Sequence, residues 1–507
     1  MNPLSIAISQ YAQETPAAIA IENSTTSLTY ADVSKAVTKL ANELGTHHLN
    51  AIALLADNGP AWCIADLACL QAEVMLAPIP HFFTPQQIAH LLRSAGIDAL
   101  LCQTTHSEQL QQLLTTLDIK QEPPVTLTLA GQSLHLIRLH LTKIQLPEAC
   151  AKVTFTSGST GEPKGVCLQA ATMQTVSRSL AHVTGANKKD RHLSLLPYAT
   201  LLENIGGIYA PLLSGATVVS PSLADVGLSG SSGLDVQRFV GMLIQSRATT
   251  CIMIPQMLHA LVAAIEAGAP QPHTLRFIAV GGAPVSEQLL QRAAALGFPV
   301  YEGYGLSEAS SVVAVNSPSH HKPGSVGHIL PHAKVRFADD GEILVNGGLF
   351  SGYLGDEAFA DTYWPTGDIG HMDDEGFLFL SGRKKHIFIT AFGRNVSPEW
   401  VERELCIEPV IAQCCVFGEA RPFNVAIIVA RNTGNDVTDQ MIQQAVDSAN
   451  AQLPDYASIS AWILADDTFS IANGLWTGTG RPRRQFIFQQ YEAQIEQIYL
   501  RHGNRET

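Results

Sequence analysis

Apolar and polar residues alternate in blocks along the first hundred residues of the chain. Short apolar runs rich in β-branched residues are typical of buried strands, and longer segments with apolar residues three or four apart are typical of helices. The pattern predicts two short strands within residues 17–30, strands at Ala51–Leu55, Val74–Pro78 and Ala99–Cys102, and helices at Ala31–Leu44, Ala61–Ala72 and Pro85–Ala95. Strands that alternate with helices favour βαβ units around a mostly parallel sheet.

The same alternation resumes after a weakly patterned stretch at residues 104–150. Strands are predicted at Ala151–Phe155, Leu193–Pro197, Thr249–Ile254 and Leu275–Val280, and helices at Ala170–Val183, Leu201–Leu213, Phe239–Gln245 and Met257–Ala267. The segment Ala224–Leu234 is rich in Gly and Ser and predicts a mobile loop. We therefore predict an α/β fold whose large, multi-layer N-terminal domain contains mostly parallel sheets.

The pattern changes in the last third of the chain. Residues 324–345 predict an antiparallel strand pair that turns at Asp340-Gly341. Further strands are predicted at Ile387–Thr390, Val410–Phe417 and Val425–Val429, and helices from Pro398 onward and at Thr438–Gln452. Ser397 is the expected N-cap of the first of these helices, and Glu399 suits its positive end. The segment from residue 387 to residue 507 is predicted to form a small α+β domain.

Composition narrows the class of protein. A chain of 507 residues is long enough for two or more domains. Its net charge of −14 argues against binding nucleic acid through a general basic face. No apolar run is long enough for a transmembrane helix, and residues 1–16 lack the pattern of a secretory signal. The 9 cysteines are scattered without CxxC pairs, which favours reduced, buried thiols in a cytoplasmic protein.

The candidate chemistry centres on the segment Thr154–Val166, TFTSGSTGEPKGV. Its hydroxyls and glycines let the backbone turn tightly and present N–H and O–H donors together, which suits a polyphosphate. Lys164 adds a positive charge near the same oxygens. The Walker spacing is not met, because Gly158 and Lys164 do not fall into it. A flexible Ser/Gly surface linker is the alternative reading.

The stretch Thr156–Gly165 resembles the phosphate loop of the acyl-adenylate-forming superfamily, which contains acyl-CoA synthetases, peptide-synthetase adenylation domains and luciferases. Further motifs follow in the family's order over nearly the whole chain. Ile387–Val401 and Arg421-Pro-Phe resemble the fatty-acyl-CoA synthetase branch more than the peptide-synthetase branch. The resemblance implies phosphate contacts from Thr156, Ser157, Gly158, Ser159, Thr160, Gly161 and Lys164.

Two glycine-containing segments then resemble the family's adenine and metal sites. After Leu275–Val280 comes Gly281-Gly282-Ala283-Pro284, where bare backbone allows a flat ring to lie close; an ordinary strand-to-helix turn is the alternative. Val300–Glu308 carries an aromatic residue and a carboxylate. The resemblance implies that Tyr304, beside Gly305, stacks on adenine, that Ser307 contacts phosphate, and that Glu308 and Thr160 hold Mg²⁺.

The ribose and hinge positions also rest on the resemblance. A carboxylate on a tight turn can accept both ribose hydroxyls, and the matching residue is Asp368, with Arg383 as a second contact. Lys385 matches the interdomain hinge, which divides the chain into 1–382, 383–386 and 387–507. The loop at Gly393 matches the one that lines the pantetheine tunnel. The sequence departs from the family at two of these motifs: His386 stands where aspartate is usual, and Thr200 where an aromatic residue or histidine is common.

The main departure lies near the C-terminus. The family pattern T-x-x-G-K-x-x-R is matched by Thr477, Gly480 and Arg484, but Arg481 replaces the lysine. That lysine normally bridges the attacking carboxylate and the α-phosphate. Arginine keeps the charge and can bridge both groups with its fork, although the two side chains are not interchangeable. We expect a working but slow or specialised enzyme, and loss of adenylation is the alternative.

The resemblance therefore implies a two-domain ligase that uses ATP and Mg²⁺ to activate a carboxylic acid, with a fatty acid expected, through acyl-AMP. Arg481, Glu308, Thr160 and Lys164 are the expected catalytic residues. Coenzyme A is the expected thiol acceptor after rotation about Lys385. Two alternatives stay open: the phosphopantetheine arm of an acyl or peptidyl carrier protein, which would need a basic patch at Arg394, Arg421 and residues 481–484, and a non-catalytic nucleotide- or acyl-binding protein. No nucleic-acid partner is expected.

Overall fold

The structure is a computed structural model that describes residues 2–156, 163–229, 233–431, 437–477 and 481–503. The phosphate-loop candidates Ser157, Gly158, Ser159, Thr160 and Gly161 lie outside the described residues, as does Gly480.

Helices pack on both faces of the sheets. Those of the described chain are α1 (Pro3–Glu14), α2 (Tyr30–Thr46), α3 (Pro60–Ala72), α4 (Pro85–Ser94), α5 (Thr104–Thr116), α6 (Ala170–Val183), α7 (Leu201–Glu203), α8 (Ala210–Leu213), α9 (Val236–Gln245), α10 (Pro255–Glu266), α11 (Glu287–Ala295), α12 (Pro398–Leu405), α13 (Asp439–Asn450) and α14 (Arg484–Gly503). A π-helical segment, Asn204–Tyr209, joins α7 to α8, and short 3₁₀ turns lie at Ser307–Ala309 and Asp455–Ala457.

The strands are numbered in chain order. They are β1 (Ile19–Glu22), β2 (Ser27–Thr29), β3 (Ala51–Leu55), β4 (Met75–Pro78), β5 (Ala99–Gln103), β6 (Val125–Leu129), β7 (Gln132–Arg138), β8 (Cys150–Thr156), β9 (Lys164–Gln169), β10 (Arg191–Leu193), β11 (Thr217–Val219), β12 (Leu228–Ser229), β13 (Gly233–Leu234), β14 (Thr250–Met253), β15 (Phe277–Val280), β16 (Val300–Tyr304), β17 (Ala314–Val315), β18 (His328–Ile329), β19 (Lys334–Phe337), β20 (Glu342–Asn346), β21 (Gly352–Tyr353), β22 (Trp364–Met372), β23 (Leu378–Arg383), β24 (Phe388–Ile389), β25 (Asn395–Val396), β26 (Ile411–Phe417), β27 (Asn424–Ala430) and β28 (Ile459–Leu464).

Two large sheets form the N-terminal part. One has eight strands in the order β21-β9-β8-β4-β3-β5-β7-β6, and the other has nine in the order β18-β17-β16-β15-β14-β10-β11-β1-β2. The central strands of both sheets pair in parallel, and antiparallel strands flank them. Helix α3 is buried from Pro60 to Leu70, as expected for a helix that is apolar on nearly all sides. The predicted α/β class is confirmed, with parallel pairing at the centre of both sheets and a mixed eight-stranded sheet.

The C-terminal part is smaller and mixed. A four-stranded antiparallel sheet, β19-β20-β22-β23, ends the N-terminal part at Arg383, and the C-terminal part then contains the three-stranded sheet β26-β27-β28. Helices α12 and α13 pack with one face of β26 and β27, and α14 packs with the other. The predicted pair around Asp340-Gly341 is present as β19 and β20.

Several element predictions need correction. The strand expected at Leu193–Pro197 lies earlier, at Arg191–Leu193. Beyond Leu193 the pairing with β11 ends after one more hydrogen bond, from the Ser194 amide to the Val219 carbonyl. The weakly patterned stretch 104–150 contains α5, β6 and β7. The predicted loop Ala224–Leu234 includes the strand pair β12–β13.

Other local predictions meet the structure more closely. Ser397 occupies the N-cap of α12 without a side-chain bond to the helix backbone; its hydroxyl instead donates to Glu399. All nine cysteines are free thiols. Within the described chain, none of the helices combines the length and apolar character needed to cross a bilayer.

Candidate functional site

A large cavity, of about 2050 Å³, lies at the carboxyl ends of the parallel strands and extends to the C-terminal part. Ligands of α/β sheets commonly bind at this edge. The predicted site residues that line it are Thr156, Lys164, Gly281, Gly282, Tyr304, Gly305, Ser307, Glu308, Arg383, Lys385 and Arg481. Asp368 contacts two of these side chains from behind. Ala283 and Gly393 are not in the lining, and Gly393 is exposed in the turn after β24.

Asp368 is held by two side chains at once. It sits on β22 directly opposite Arg383 of β23, whose Nε lies 2.7 Å from Asp368 Oδ1. The Tyr304 hydroxyl donates to Asp368 Oδ2 at 2.7 Å. Burial raises the pKa of Asp368, while Arg383 and Tyr304 oppose that rise. The carboxylate is therefore fixed in position beside the cavity.

A second cluster joins Glu308 to Lys164 through Tyr353. The Tyr353 hydroxyl donates to Glu308 Oε1 at 2.7 Å, and Lys164 Nζ lies 4.9 Å from the centre of the Tyr353 ring. Tyr353 reaches both because β21 pairs with β9, which begins at Lys164. Burial, followed by the charge of Glu308, raises the pKa of Tyr353. Sequence reasoning missed this tyrosine, whose only local signal is a turn with glycines at 352 and 355.

Gly305 is fixed by the close approach of another backbone segment. A Cβ at this position would lie 1.6 Å from the Ser311 carbonyl oxygen, so only glycine fits. This packing turns the chain sharply after Tyr304 and carries Ser307 and Glu308 to the cavity. The glycine recognised in the sequence is therefore required by packing as well as by its place in the motif.

Arg481 crosses from the C-terminal part to the N-terminal part. Its guanidinium donates to the Gly282 carbonyl from Nη2 at 2.7 Å and from Nε at 3.3 Å. Partial desolvation among the cavity walls and the neighbouring Arg383 lower the pKa of Arg481, although its side chain remains solvent-accessible, whereas Asp368 and Glu399 raise it. An arginine stays ionised in proteins, so Arg481 presents a full positive charge inside the cavity.

Arg484, the last residue of the Thr477–Arg484 motif, contacts only side chains and backbone of the C-terminal part among the hydrogen bonds of the described residues. It forms a two-pronged ion pair with Glu402, with Nη1 2.6 Å from Oε1 and Nη2 on Oε2. Burial raises the pKa of Glu402, and Arg484 opposes that rise. This pair ties the start of α14 to α12.

His386 takes part in the same cluster. Its Nδ1 lies 2.5 Å from Glu399 Oε1. Burial opposes ionisation of Glu399, but the hydrogen bond with His386 and the charge of Arg484 lower its pKa to about 2. The residue that departs from the family pattern therefore contacts Glu399 in the first turn of α12.

The described chain contains no group of three His, Cys, Asp or Glu side chains arranged to hold a metal ion. A single carboxylate still fits Mg²⁺, because this ion keeps several waters and takes substrate phosphates as ligands. Glu308 is such a carboxylate, at the cavity wall and beside Lys164.

The comparison with family models agrees with this architecture. Residues 8–354 match the model of the AMP-binding enzyme, and residues 385–503 match that of the AMP-binding enzyme C-terminal domain. The chain belongs to the AMP-binding enzyme family.

Individual relatives cover almost the whole chain at low identity. The chain is 28% identical to the long-chain-fatty-acid–CoA ligase FadD15 of Mycobacterium bovis, over 86% of each protein. The fold matches the anthranilate CoA ligase AuaEII in complex with anthranoyl-AMP, with TM-score 0.81, 16% identity and 97% of each chain covered. It also matches o-succinylbenzoate CoA synthetase of Bacillus subtilis with ATP and magnesium, with TM-score 0.75, 22% identity and 94% and 98% coverage.

Proposed function

We propose that this protein is an AMP-forming acid–thiol ligase that converts a carboxylic acid and coenzyme A to an acyl-CoA. The observation that carries the proposal is that the Asp368 cluster, the Glu308 cluster and Arg481 all face one cavity. The acid attacks the α-phosphate of ATP and pyrophosphate leaves. The CoA thiol then attacks the acyl-AMP carbonyl, and AMP leaves with the electron pair of the broken anhydride bond.

The nucleotide is assigned to the loops at the carboxyl ends of the strands. Asp368 and Arg383 take the ribose hydroxyls, since a fixed carboxylate is a strong acceptor. Adenine lies between the backbone of Gly281–Ala283 and the Tyr304-Gly305 segment. The phosphates take Lys164, Ser307 and the hydroxyl- and glycine-rich loop from Thr156 to Gly161.

Mg²⁺ is assigned to Glu308 together with Thr160. When bound, it neutralises the phosphate oxygens on which charge accumulates. Glu308 is kept on the cavity side of its turn by the Tyr353 hydroxyl, so the chain's own contribution is to fix this carboxylate before the ion arrives.

Arg481 is assigned the positive charge that favours adenylation. Its guanidinium already lies on the carbonyl of Gly282, at the adenine side of the cavity. A shift toward the cavity would bring it to the oxygens of the acid and the α-phosphate, where a preorganised charge lowers the barrier. Losing such a contact costs about 3–4 kcal/mol.

The second half-reaction is assigned to a different arrangement of the two domains. We place the boundary at a hinge, residues 383–386, between domains 1–382 and 387–507. In the structure, Arg481 faces the cavity while Gly393 is exposed outside its lining. This arrangement suits adenylation, and a turn about Lys385 would bring the Gly393 loop to the cavity for attack by the thiol.

A fatty acid is the substrate class that we favour. The relative FadD15 is named a long-chain-fatty-acid–CoA ligase, whereas the structural neighbours act with anthranilate and o-succinylbenzoate according to their names. The cavity of this chain continues from the glycine loops between the sheet and α6, along walls that include Leu180, Ala210 and Phe277. An extended, mainly apolar space of this kind suits an acyl chain.

The test is pyrophosphate release from MgATP by the purified chain across a panel of linear and aromatic carboxylic acids, with and without CoA. We expect release with linear acids, together with an acyl-CoA product seen by mass spectrometry. Pyrophosphate release that needs no acid, or ATP binding without release for every acid, would contradict the proposal. Thioester formation with a phosphopantetheinylated carrier protein and not with CoA would select the carrier-loading alternative.

A further inference from the structure

The deep branch of the cavity runs along one face of the nine-stranded sheet. On the sheet side it is lined by Ala279 and Phe277 of β15, and on the helix side by Leu180 of α6, Gly206 and Ala210. It begins at the loops Gly281 and Gly303, next to the nucleotide residues. Because the branch starts where the acid carboxylate must react, its depth sets the acyl chain that fits.

Polar side chains interrupt this apolar wall well below its entrance. His192 and Thr250 both line the branch. They lie level with Phe277, because His192 pairs with Thr250 and Thr250 pairs with Phe277 across parallel strands. Four residues of strand separate Phe277 from Gly281, or about 13 Å at ~3.3 Å per residue. An extended chain spans about 3.5 Å in three bonds, so this depth corresponds to about ten or eleven bonds.

The polar wall is a connected chain of three side chains. His192 Nδ1 lies 3.0 Å from Thr250 Oγ1, and His192 Nε2 lies 3.3 Å from Glu203 Oε1. Glu203 is fully buried and His192 almost so, whereas Thr250 keeps part of its surface in the cavity. Burial raises the pKa of Glu203, opposed by His192. Of these three hydrogen-bonded side chains, Thr250 is therefore the one whose hydroxyl a ligand in the cavity can contact.

The local backbone is shaped around this arrangement. Glu203 ends α7, and the following π-helical segment carries Gly207 directly beneath its carboxylate. A Cβ at Gly207 would lie 2.4 Å from Glu203 Oε1 and 2.9 Å from His192 Nε2. Short π-helical insertions are frequent at functional sites. Burying two ionisable side chains, His192 and Glu203, costs desolvation free energy. We therefore infer that this pair does more than hold α7 against the sheet.

The floor of the branch is closed by groups that are already satisfied. Arg276 donates to Asp190 Oδ1 at 2.6 Å and to the carbonyls of Thr184 and Gly185. Arg276 therefore offers no spare charge for a second carboxylate at the far end of a ligand. Thr250 differs, because its hydroxyl has one hydrogen-bond partner, His192, within the described chain.

We propose that the acid activated by this protein carries a hydroxyl group about ten bonds from its carboxyl carbon, bound by Thr250. The proposal rests on the proposed ligase function and narrows its substrate. A hydroxyl fits because it can donate or accept, so it complements Thr250 for either tautomer of His192. An alkyl chain without it would leave the Thr250 hydroxyl buried with one partner, which costs affinity.

The test compares 10-hydroxydecanoic acid with decanoic acid in the full-length protein. We expect the hydroxy acid to have a five- to tenfold higher kcat/KM in pyrophosphate release, mainly through KM, and a matching ratio of dissociation constants by calorimetry. Thr250→Val should bring both ratios close to one. Thr250→Ser should keep the preference, and Thr175→Val, whose hydroxyl bonds within α6, should leave it unchanged.

Equal affinity of the wild-type protein for the two acids would overturn the proposal, and so would a preference that persists in Thr250→Val. The calorimetric ratio separates this inference from the ligase function. A binding preference for the hydroxy acid without pyrophosphate release would contradict the ligase function and support the hydroxyl site. Pyrophosphate release without a binding preference would support the ligase function and contradict the hydroxyl site.

Discussion

The hydroxyl of Tyr353 donates to Glu308 Oε1 at 2.7 Å while its ring faces the ammonium group of Lys164 at 4.9 Å. One side chain therefore contacts both the proposed metal ligand and the proposed phosphate ligand. It comes from β21, a two-residue strand at the edge of the eight-stranded sheet. Tyr353 is a positioning residue, because it acts on the substrate through these two neighbours.

Replacing Tyr353 by Phe separates its two contacts. The hydrogen bond to Glu308 is lost and the ring face for Lys164 is kept. A hydrogen bond to a charged group contributes about 1.5–3 kcal/mol, so the Mg²⁺ concentration for half-maximal pyrophosphate release should rise about ten- to 150-fold. ATP binding without Mg²⁺ should change little. Tyr353→Leu, which also removes the ring, should weaken that binding as well. An unaltered Mg²⁺ titration in Tyr353→Phe would contradict the positioning role, and Tyr363→Phe serves as the control.

Asp368→Ala should weaken ATP binding. Two ribose hydroxyls lose a charged acceptor, and Arg383 and Tyr304 lose their common partner. The expected loss is about 1.5–3 kcal/mol for hydrogen bonds to a charged group, measured as the ATP dissociation constant by calorimetry. Asp340→Ala is the matched control, because Asp340 pairs with Lys384 at the surface. An ATP affinity equal to wild type would remove Asp368 from the site.

Arg481→Ala should lower acyl-AMP formation by about 10²–10³-fold, the size seen when one transition-state donor is removed. Thioester formation from preformed acyl-AMP should be nearly intact. Arg238→Ala, at an exposed position, is the control. Unchanged adenylation by the Arg481 variant would show that its charge is not used.

The variant Arg481→Lys tests whether adenylation requires the planar guanidinium group or only its positive charge. If the fork is needed to reach from Gly282 to the reacting oxygens, lysine should be slower, because it provides a point charge without the planar fork. A rate that matches or exceeds wild type would show that the cavity keeps the family's shape for lysine. Single-turnover measurement of acyl-AMP decides between these outcomes.

Gly393→Trp should spare acyl-AMP formation and block transfer to the thiol. The position has φ +71, and a Cβ there would have no neighbour within 4 Å in the present arrangement; a bulky residue strains the turn but starts in open space, as it does at the control position below. Gly268→Trp is a matched control, since Gly268 also has a positive φ and open surroundings. Equal losses in both half-reactions would contradict the proposed alternation of domains.

The sequence predicts best where chemistry and local pairing coincide. Asp368 and Arg383 were both identified by motif, and they meet because adjacent antiparallel strands bring them into register. Tyr353 escaped notice because its partners lie far away in the chain, and only the pairing of β21 with β9 brings it to Lys164.

The deep branch shows a second limit. Periodicity predicted one helix at Leu201–Leu213, and a π-helical segment in its middle is invisible to a 3.6-residue pattern. That segment decides where Glu203 meets His192 of β10. The strand predicted at Leu193–Pro197 lies at Arg191–Leu193 for a related reason. An apolar run indicates which residues are buried, but not which backbone amides form hydrogen bonds to a neighbouring strand.

The proposed alternation of domains would break the contact between Arg481 and Gly282. The acceptor is a neutral main-chain oxygen in a water-accessible cavity. When this bond breaks, water can solvate the carbonyl and the guanidinium, so no unpaired carboxylate is stranded at the boundary. A hydrogen bond exchanged for water in this way contributes little net free energy. Breaking this contact would therefore oppose the proposed domain motion only weakly.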